Sequence, residues 1–241
     1  FVAATKTQPY DFTGSDPTSC TAEKMPFYQA CVSKGSMVST EGGVIYASHD
    51  GLVMVGSGGM NILTKDILTK EQWQALNPSL LVGTWFDNKY LGFFKDTTRG
   101  IMLDMQSGSL VGITWTYQPL AAHYDPETDD LSLLVLDGGT YKRVSWMSGG
   151  TDLTYTWRSK VFFTPEHNYG AAWVIGEYSG GRSVTLKVIA DGTERFSQVI
   201  NTNEPVRLPG GFLAKEWDVV LSGTAPVNVV SLAKTIEELG S

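Results

Sequence analysis

The 241 residues include 18 Lys and Arg against 25 Asp and Glu, which gives a formal net charge of −7. A charged fraction of 18% with 42% hydrophobic residues excludes a disordered chain and allows one large β core or two smaller ones. The acidic balance argues against a general nucleic-acid clamp or a polybasic membrane-surface protein, because both need clustered Lys and Arg. No apolar run approaches the roughly 18 residues that span a bilayer, so no membrane insertion is predicted.

The first 34 residues predict little regular structure. Phe1 is not an initiator Met, and FVAAT reads as the end of a strand, so we expect a longer protein with further strands upstream. Residues 5–34 are rich in Pro, Ser, Thr and Asp, which predicts a long ordered loop. Cys20 and Cys31 are predicted to be free thiols, since the start of the chain has no signal-peptide pattern. A zinc site is not expected, because the chain has only three His.

Short apolar segments separated by polar or glycine-containing turns predict antiparallel hairpins from residue 44 onward. The first hairpin pairs residues 44–48 with 52–56, and the second pairs 80–86 with 90–94. Between them, Thr69 and Gln72 form a capping-box pattern and Asn77-Pro78 ends the helix, so one short helix is predicted over 69–76. Further strands are predicted at residues 101–105, 110–117, 121–124, 131–136 and 141–146.

This pattern predicts an all-β chain with two domains. Hairpins at short spacing with almost no helix are typical of β-propeller blades, so residues 1–150 are predicted to be a propeller-like region that begins upstream. An open sandwich remains the alternative. Residues 151–241 are predicted to form a C-terminal β-sandwich. Its seven strands are expected at 153–163, 169–178, 184–190, 195–200, 205–208, 215–222 and 227–233.

Alternation of apolar and polar residues indicates which side of these strands is buried. Val184, Leu186 and Val188 are predicted to face one side, with Thr185 and Lys187 on the other. Trp217, Val219 and Leu221 keep the same period of two. Both strands are therefore expected to contribute to the sandwich core.

The acidic segment DPETDD, residues 125–130, resembles a calcium loop in composition alone. Counting from Asp125, position six is Asp130 instead of Gly, and position twelve is Leu136 instead of a bidentate Glu. A solvated hairpin turn is the better interpretation. The GSGG segment, residues 56–59, has no Lys to reach a phosphate, so no nucleotide loop is predicted there.

Histidine positions give no convincing catalytic site. Ser48-His49-Asp50 has the residue types of a catalytic triad, but adjacent side chains on one turn do not converge, so His49 is interpreted as a turn residue. His123 on a predicted strand and His167 in PEHNYG are single candidates for a general acid or base without an evident partner. We therefore predict no catalytic, metal-binding or cofactor-binding residues, no cofactor, and no enzymatic activity.

Aromatic residues make up 11% of the chain and raise the alternative of sugar binding by ring stacking. Aromatic side chains on strands usually fill the space between sheets, so most of these side chains are expected in the core. An exposed coplanar pair would favour a lectin. The candidates are Trp115, Tyr117, Trp157, Trp173 and Tyr178.

Four segments, taken in order, resemble the tail hub or nozzle proteins of short-tailed phages and related prophages. They are ACVSKGSMVSTEGGVIYASHDGLVMVG, ILTKEQWQALNP, TYTWRSKVFFTPEHNYGAAWV and RLPGGF, and the resemblance extends over nearly the whole chain. It implies a structural protein of the virion tail, made in the host cytoplasm. Its implied partners are copies of itself in a ring, expected to be a homo-hexamer, other tail proteins, and DNA that passes without sequence-specific binding.

Within such a ring, three exposed segments are candidate contacts between subunits: residues 125–130, 165–169 and 209–211. A channel for DNA is expected to expose few Lys or Arg, because ion pairs with phosphates would retard the DNA. The alternative function is a carbohydrate-binding or glycan-hydrolysing β protein of a phage or bacterial surface, for which carboxylates would have to converge in an aromatic cleft. A monomeric scaffold or adhesin module is a third interpretation.

Overall fold

The computed structural model describes residues 1–16, 18–56 and 58–240. Strands account for 52% of the chain and helices for 8%, so the predicted all-β class is confirmed. The chain divides into two compact parts, Phe1–Ser148 (unit 1) and Gly149–Ser241 (unit 2). None of the helices in the described residues has the length and hydropathy needed to cross a bilayer.

Unit 1 begins with an antiparallel three-stranded sheet, so the prediction of a long ordered loop over residues 5–34 is wrong for the two of these strands that lie within it. Its strands are Val2–Ala4 (β1), Pro9–Thr13 (β2) and Thr21–Lys24 (β3). The ring of Phe12 stacks on that of Phe1 at a centroid distance of 4.6 Å. The Asp16 carboxylate accepts from Thr18 and Ser19, which lowers its pKa to about 2 and closes the turn. Pro17 lies outside the described residues.

A four-stranded antiparallel sheet follows a short 3-10 helix at Lys34–Ser36. Its strands are Val38–Thr40 (β4), Gly43–Ala47 (β5), Leu52–Gly56 (β6) and Gly59–Ile62 (β7). The predicted first hairpin is confirmed as β5–β6. Ser57 in the GSGG segment lies outside the described residues.

The α-helix Lys70–Ala75 (α1) has the predicted capping box. Gln72 N donates to Thr69 Oγ1 at 3.2 Å, and Thr69 N donates to Gln72 Oε1 at 2.8 Å. The helix ends before Asn77, which has a left-handed backbone (φ 59°) that precedes Pro78. This prediction from sequence is confirmed.

Two further antiparallel meanders complete unit 1. One contains Leu81–Phe86 (β8), Lys89–Phe94 (β9), Arg99–Asp104 (β10) and Leu110–Thr114 (β11). The other contains Gln118–Asp125 (β12), Asp130–Asp137 (β13) and Thr140–Ser145 (β14). Within each meander, strands that follow one another along the chain pair directly, which is the hairpin pattern expected from the turns.

The sheets of unit 1 pack face to face through three successive hydrophobic clusters. Val2 and Ala4 pack with Tyr46 and Val53 between the first and second sheets. The opposite face of the second sheet contacts the third sheet around Trp73. The third sheet then packs on the fourth through Leu91, Phe93, Leu131, Leu133 and Val135. Unit 1 is therefore a row of four sheets.

Polar groups of Ser33 and Ser36, at the 3-10 helix, connect the second and third sheets. Ser36 Oγ accepts from the backbone N–H of Ala47 at 2.8 Å, and Tyr90 Oη donates to the Ser36 carbonyl at 2.9 Å. Ser33 Oγ donates to the Leu81 carbonyl at 2.6 Å. Burial raises the pKa of Tyr90, so its hydroxyl remains protonated and available as a donor.

Unit 2 contains two antiparallel sheets that enclose one hydrophobic core. Its strands are Tyr155–Arg158 (β15), Phe162–His167 (β16), Ala171–Gly176 (β17), Val184–Ala190 (β18), Thr193–Ile200 (β19), Val206–Arg207 (β20), Ala214–Gly223 (β21) and Val227–Ala233 (β22). One sheet has the order β15-β21-β18-β19, with β16 also paired to β21, and the other has the order β20-β17-β22. The core lies between them and includes Trp217.

The predicted alternation in unit 2 is confirmed, but one predicted strand is wrong. Val184, Leu186 and Val188 are buried, as are Trp217, Val219 and Leu221. In contrast, residues 153–163 do not form a single strand, because the ladder with β21 is interrupted after Arg158. There, Ser159 Oγ accepts the backbone N–H of Val219 at 3.0 Å, in place of a backbone carbonyl.

Candidate interaction surfaces

The Ser48-His49-Asp50-Gly51 turn holds helix α1 against the second sheet. Ser48 is buried, and its carbonyl accepts from Trp73 Nε1 at 2.8 Å. The His49 carbonyl accepts from the side chain of Gln74. Gly51 packs so closely on Thr64 that a β-carbon would collide with the threonine side chain. These contacts give the turn a structural role.

Asp50 is the charged centre of this turn. Its carboxylate accepts from Lys70 Nζ at 2.6 Å and from Gln29 Nε2 at 2.8 Å. These hydrogen bonds, first that of Lys70 and then that of Gln29, lower the pKa of Asp50. The ionised carboxylate thus joins helix α1 to the segment before the second sheet.

The acidic segment 125–130 forms the turn between β12 and β13, and its carboxylates bind separate donors. Asp125 Oδ1 accepts the backbone N–H of Glu127 at 3.0 Å, and Asp129 Oδ1 accepts from Tyr124 Oη at 3.0 Å. Asp130 Oδ2 accepts from Ser132, Ser145 and Arg143, and these bonds lower its pKa. The described residues include no group of three or more His, Cys, Asp or Glu arranged for a metal.

The structure places the two other histidines in different units. His123 is exposed on β12, opposite Ser132 of β13. His167 ends β16, and its ring packs edge-on against Tyr169 at a centroid distance of 4.5 Å. Its Nδ1 lies 2.6 Å from the Pro165 carbonyl, which can only accept, so this nitrogen carries the hydrogen. Because β16 extends to His167, residues 165–167 belong to a strand, which corrects the expectation of a loop over 165–169.

Most of the aromatic candidates pack against the hydrophobic clusters. Trp115 lies between Phe93 and Trp146 at centroid distances of 5.3 and 4.9 Å. Tyr117 packs in the same cluster, and Tyr178 packs on the core of unit 2. Trp173 donates from Nε1 to the Asn203 carbonyl at 2.7 Å. Trp157 differs, because it is 48% exposed.

Trp157 borders a groove of about 260 Å³ between the two sheets of unit 2. We call it the seam groove and define it by Trp157, Phe162, Tyr169, Val219, Val230 and Leu232. Ser159 also lines it, but the Ser159 hydroxyl already donates to the Lys160 carbonyl and accepts from Val219 N. The groove is therefore mainly apolar. Small-molecule pockets usually measure about 300–1,000 Å³, so its size better fits one or two side chains.

The seam groove lies where both sheets have a free edge. In the described part of the chain, β22 pairs only with β17, and β15 and β16 pair only with β21. Val230 and Leu232 extend from the edge strand β22 into the groove. The sandwich is thus open along this side.

A second surface is the outward face of the last sheet in unit 1. Register places Ala121, Leu134, Leu136 and Tyr141 on one side of β12–β14, while Leu131, Leu133 and Val135 face the neighbouring sheet. We call this side the end face. Leu134 is 42% exposed and Tyr141 is 67% exposed, so the end face presents apolar side chains to solvent. The same register places the exposed Arg143 opposite Leu134, where its guanidinium binds Asp130.

The loop predicted at residues 209–211 is exposed, and the Pro209 carbonyl accepts from Asn168 Nδ2 at 3.2 Å. Both cysteines are free thiols in the structure. Cys20 is exposed, and Cys31 donates to the Ser33 carbonyl at 3.2 Å. Burial raises the pKa of the Cys31 thiol.

Sequence reasoning identified individual strands and missed both of these surfaces. The end face has a usable signal, because LSLLVLD places Leu at positions on both sides of β13. The seam groove has none, because it depends on the break after Arg158 and on which strand lies at the sheet edge.

No protein-family model matches the chain, and none of the curated proteins is similar to it.

Proposed function

We propose that this protein is a structural subunit that assembles with copies of itself, as a tail hub or nozzle ring of the short-tailed-phage type. The end face is the observation that carries this proposal. Successive sheets of unit 1 cover each other's apolar faces, yet Leu134 and Tyr141 on the last sheet remain exposed. A further β layer from another subunit would bury them at a gain of roughly 25 cal/mol per Å² of apolar surface.

The contact we propose is head to tail. Packing of a β sheet from elsewhere on the next subunit against the end face would repeat the sheet-on-sheet arrangement within unit 1. A heterologous contact of this kind closes into a ring when its rotation divides a full turn, and six subunits is the number that the resemblance implies.

The role we propose for the ring is to enclose a channel through which DNA passes without sequence-specific binding. The charge of −7 supports weak contact with phosphates. Seven Lys or Arg side chains also form ion pairs with Asp or Glu in the described residues. Binding of a duplex at physiological salt should be weaker than the roughly 10⁻⁴ to 10⁻⁶ M typical of non-specific binders.

In this proposal the protein belongs to the virion, is made in the host cytoplasm and catalyses no reaction. Other tail proteins would contact its exposed loops, for which residues 125–130 and 209–211 are the candidates. The turn at 125–130 is fixed by its own hydrogen bonds, and the loop at 209–211 is held by Asn168. Such fixed loops lose little conformational entropy on binding.

Light scattering and negative-stain imaging test the self-assembly. We expect rings from the unaltered protein and smaller species from Leu134→Lys, because a charge on the end face would be buried in the contact. Val111→Lys is the matched control, since Val111 is 45% exposed on a different sheet. Monomers from the unaltered protein, or equal behaviour of the two variants, would contradict the proposal.

A carbohydrate-binding or glycan-hydrolysing protein is the second candidate, and Trp157 is the observation that favours it. Its exposed ring borders the seam groove beside Tyr169 and could stack on a sugar. Against this, the Ser159 hydroxyl is already engaged and the groove lining is mainly apolar. A glycan array with Trp157→Ala and, as control, the exposed Phe163→Ala would identify binding that depends on Trp157 alone.

A further inference from the structure

We propose that strand β22 is a self-association edge, which pairs antiparallel with β22 of a second copy and closes the seam groove of both subunits. The contact differs from the end face. The β22 pairing shares with the proposed function only the requirement that copies of this chain associate.

The composition of β22 leaves this edge unprotected. Exposed edge strands are usually blunted by charged residues, Pro or very short length, which prevents pairing with other chains. The β19 edge has Glu194 and Arg195, and β20 has only two residues. In contrast, β22 reads VNVVSLA over seven residues and contains neither a charge nor a Pro.

The register of β22 is suited to pairing with itself. A bulge lies near its start, between the pairs Ile175–Val229 and Gly176–Val227, and the remaining residues, 229–233, continue the ladder regularly. Antiparallel pairing of this stretch about a two-fold axis places Ser231 opposite the Ser231 of the second copy. It also places Val230 opposite Leu232 on the groove side, because residues directly opposite share a face.

This pairing supplies an occupant for the seam groove. A strand added beside β22 extends the β20-β17-β22 sheet over β15 and β16, where Trp157 and Phe162 line the groove. Its Val230 and Leu232 then face these rings, while the backbone groups of both edges gain hydrogen-bond partners. Strand addition commonly combines such main-chain bonds with small pockets for alternate side chains. The apolar lining and the volume of about 260 Å³ fit this use.

The pairing is isologous, so it joins two subunits and cannot by itself close a head-to-tail ring. Mutations at β22 and at the end face should therefore change the assembly independently. Loss of one contact leaves the other measurable.

Charge reversal at the two-fold axis tests the pairing. Ser231→Lys places two lysines directly opposite each other, and Ser231→Glu places two glutamates there, so each variant alone should raise the dissociation constant of the pair by up to about fivefold. An equimolar mixture should restore association by opposite charge. The controls are Ser197→Lys and Ser197→Glu on β19, where Ser197 is exposed. Sedimentation or light scattering of the full chain measures the mass.

Restored association in the mixture shows that both variants are folded and supports the pairing. A second measurement uses Ser231→Cys in a Cys20→Ser background, which should give a covalent dimer under mild oxidation, whereas Ser197→Cys should not. Ser231 variants that behave like the Ser197 controls would overturn the inference even if rings persist. Pairs of the unaltered protein that Ser231→Lys weakens, with rings formed by neither protein, would support this inference and overturn only the proposed function.

Discussion

The two units solve the burial of apolar side chains differently. Unit 1 distributes its buried residues over three clusters between four sheets, whereas unit 2 gathers them in one core between two sheets. A row of sheets always ends in a face, so unit 1 exposes the end face. A two-layer unit covers the inner faces of both sheets but leaves the edges of its outermost strands open, so unit 2 exposes the edge of β22. The architecture of each unit thus determines which apolar surface it leaves open to solvent.

Replacing one buried tryptophan in each unit should have the largest effect on stability and should show the difference between the two units most clearly. Trp217 and Trp73 are both fully buried, and Trp→Ala should cost each unit about 3–5 kcal/mol. Because unit 2 has a single core, Trp217→Ala should remove hydrogen-exchange protection throughout 149–241. Trp73→Ala should affect mainly the second and third sheets of unit 1. Uniform loss across 1–148 in Trp73→Ala would show that the three clusters act as one.

Trp73 and Trp217 also differ in the hydrogen bonding of the indole N–H, which should have a smaller effect on stability. Trp73 Nε1 donates to the Ser48 carbonyl, whereas Trp217 Nε1 has no partner among the described residues. Trp73→Phe should therefore lose a hydrogen bond in addition to volume. We expect it to cost about 1 kcal/mol more than Trp217→Phe in urea unfolding. An equal cost would indicate that a water satisfies Trp217.

An ion pair with a buried carboxylate on the outer side of unit 2 should contribute about 1–3 kcal/mol to the free energy of unfolding of this unit. Asp218 is 3% exposed, and Arg158 Nε donates to it at 2.5 Å. Arg158→Ala should destabilise unit 2 by this amount, because it leaves Asp218 charged and unpaired. Adding Asp218→Asn to this variant should recover part of the loss. Urea unfolding of the single and double variants measures both effects, and a double variant less stable than Arg158→Ala would contradict the explanation.

The buried polar link in unit 1 should contribute about 1–2 kcal/mol. Tyr90→Phe removes the donor to the Ser36 carbonyl and leaves an acceptor unsatisfied between two sheets. Tyr141→Phe, at an exposed tyrosine, is the control and should be neutral in denaturant unfolding of the monomer. A Tyr90→Phe variant as stable as the control would mean that the Ser36 carbonyl finds another donor.

The local elements of this fold could be predicted from the sequence, whereas the arrangement of the sheets could not. Periodicity and capping patterns predicted α1, the β5–β6 hairpin and the buried faces of β18 and β21, because those signals are local. The hairpin β2–β3 was missed because its sequence is polar, and its order comes from Phe1 stacked on Phe12 and from contact of β1 with the second sheet. Sheet order and edge position depend on pairing between distant segments, so the end face and the seam groove could not be located from sequence.

The smallest expected effect is the pH dependence of the Asp50 turn. Its pKa is lowered in the folded protein, so the ionised carboxylate stabilises unit 1 above the ordinary value near 3.9, and this stability is lost as pH falls through the lowered value. Asp50 is partly exposed, so about 0.2–1 kcal/mol is expected at neutral pH. Unfolding of the unaltered protein and Asp50→Asn should differ at pH 7 and converge toward pH 2. Lys70→Met should remove most of the difference, because the Lys70 hydrogen bond is its largest cause. A stability difference that persists at pH 2 would show that packing and neutral hydrogen bonds at this turn hold helix α1, and that the charge of Asp50 does not.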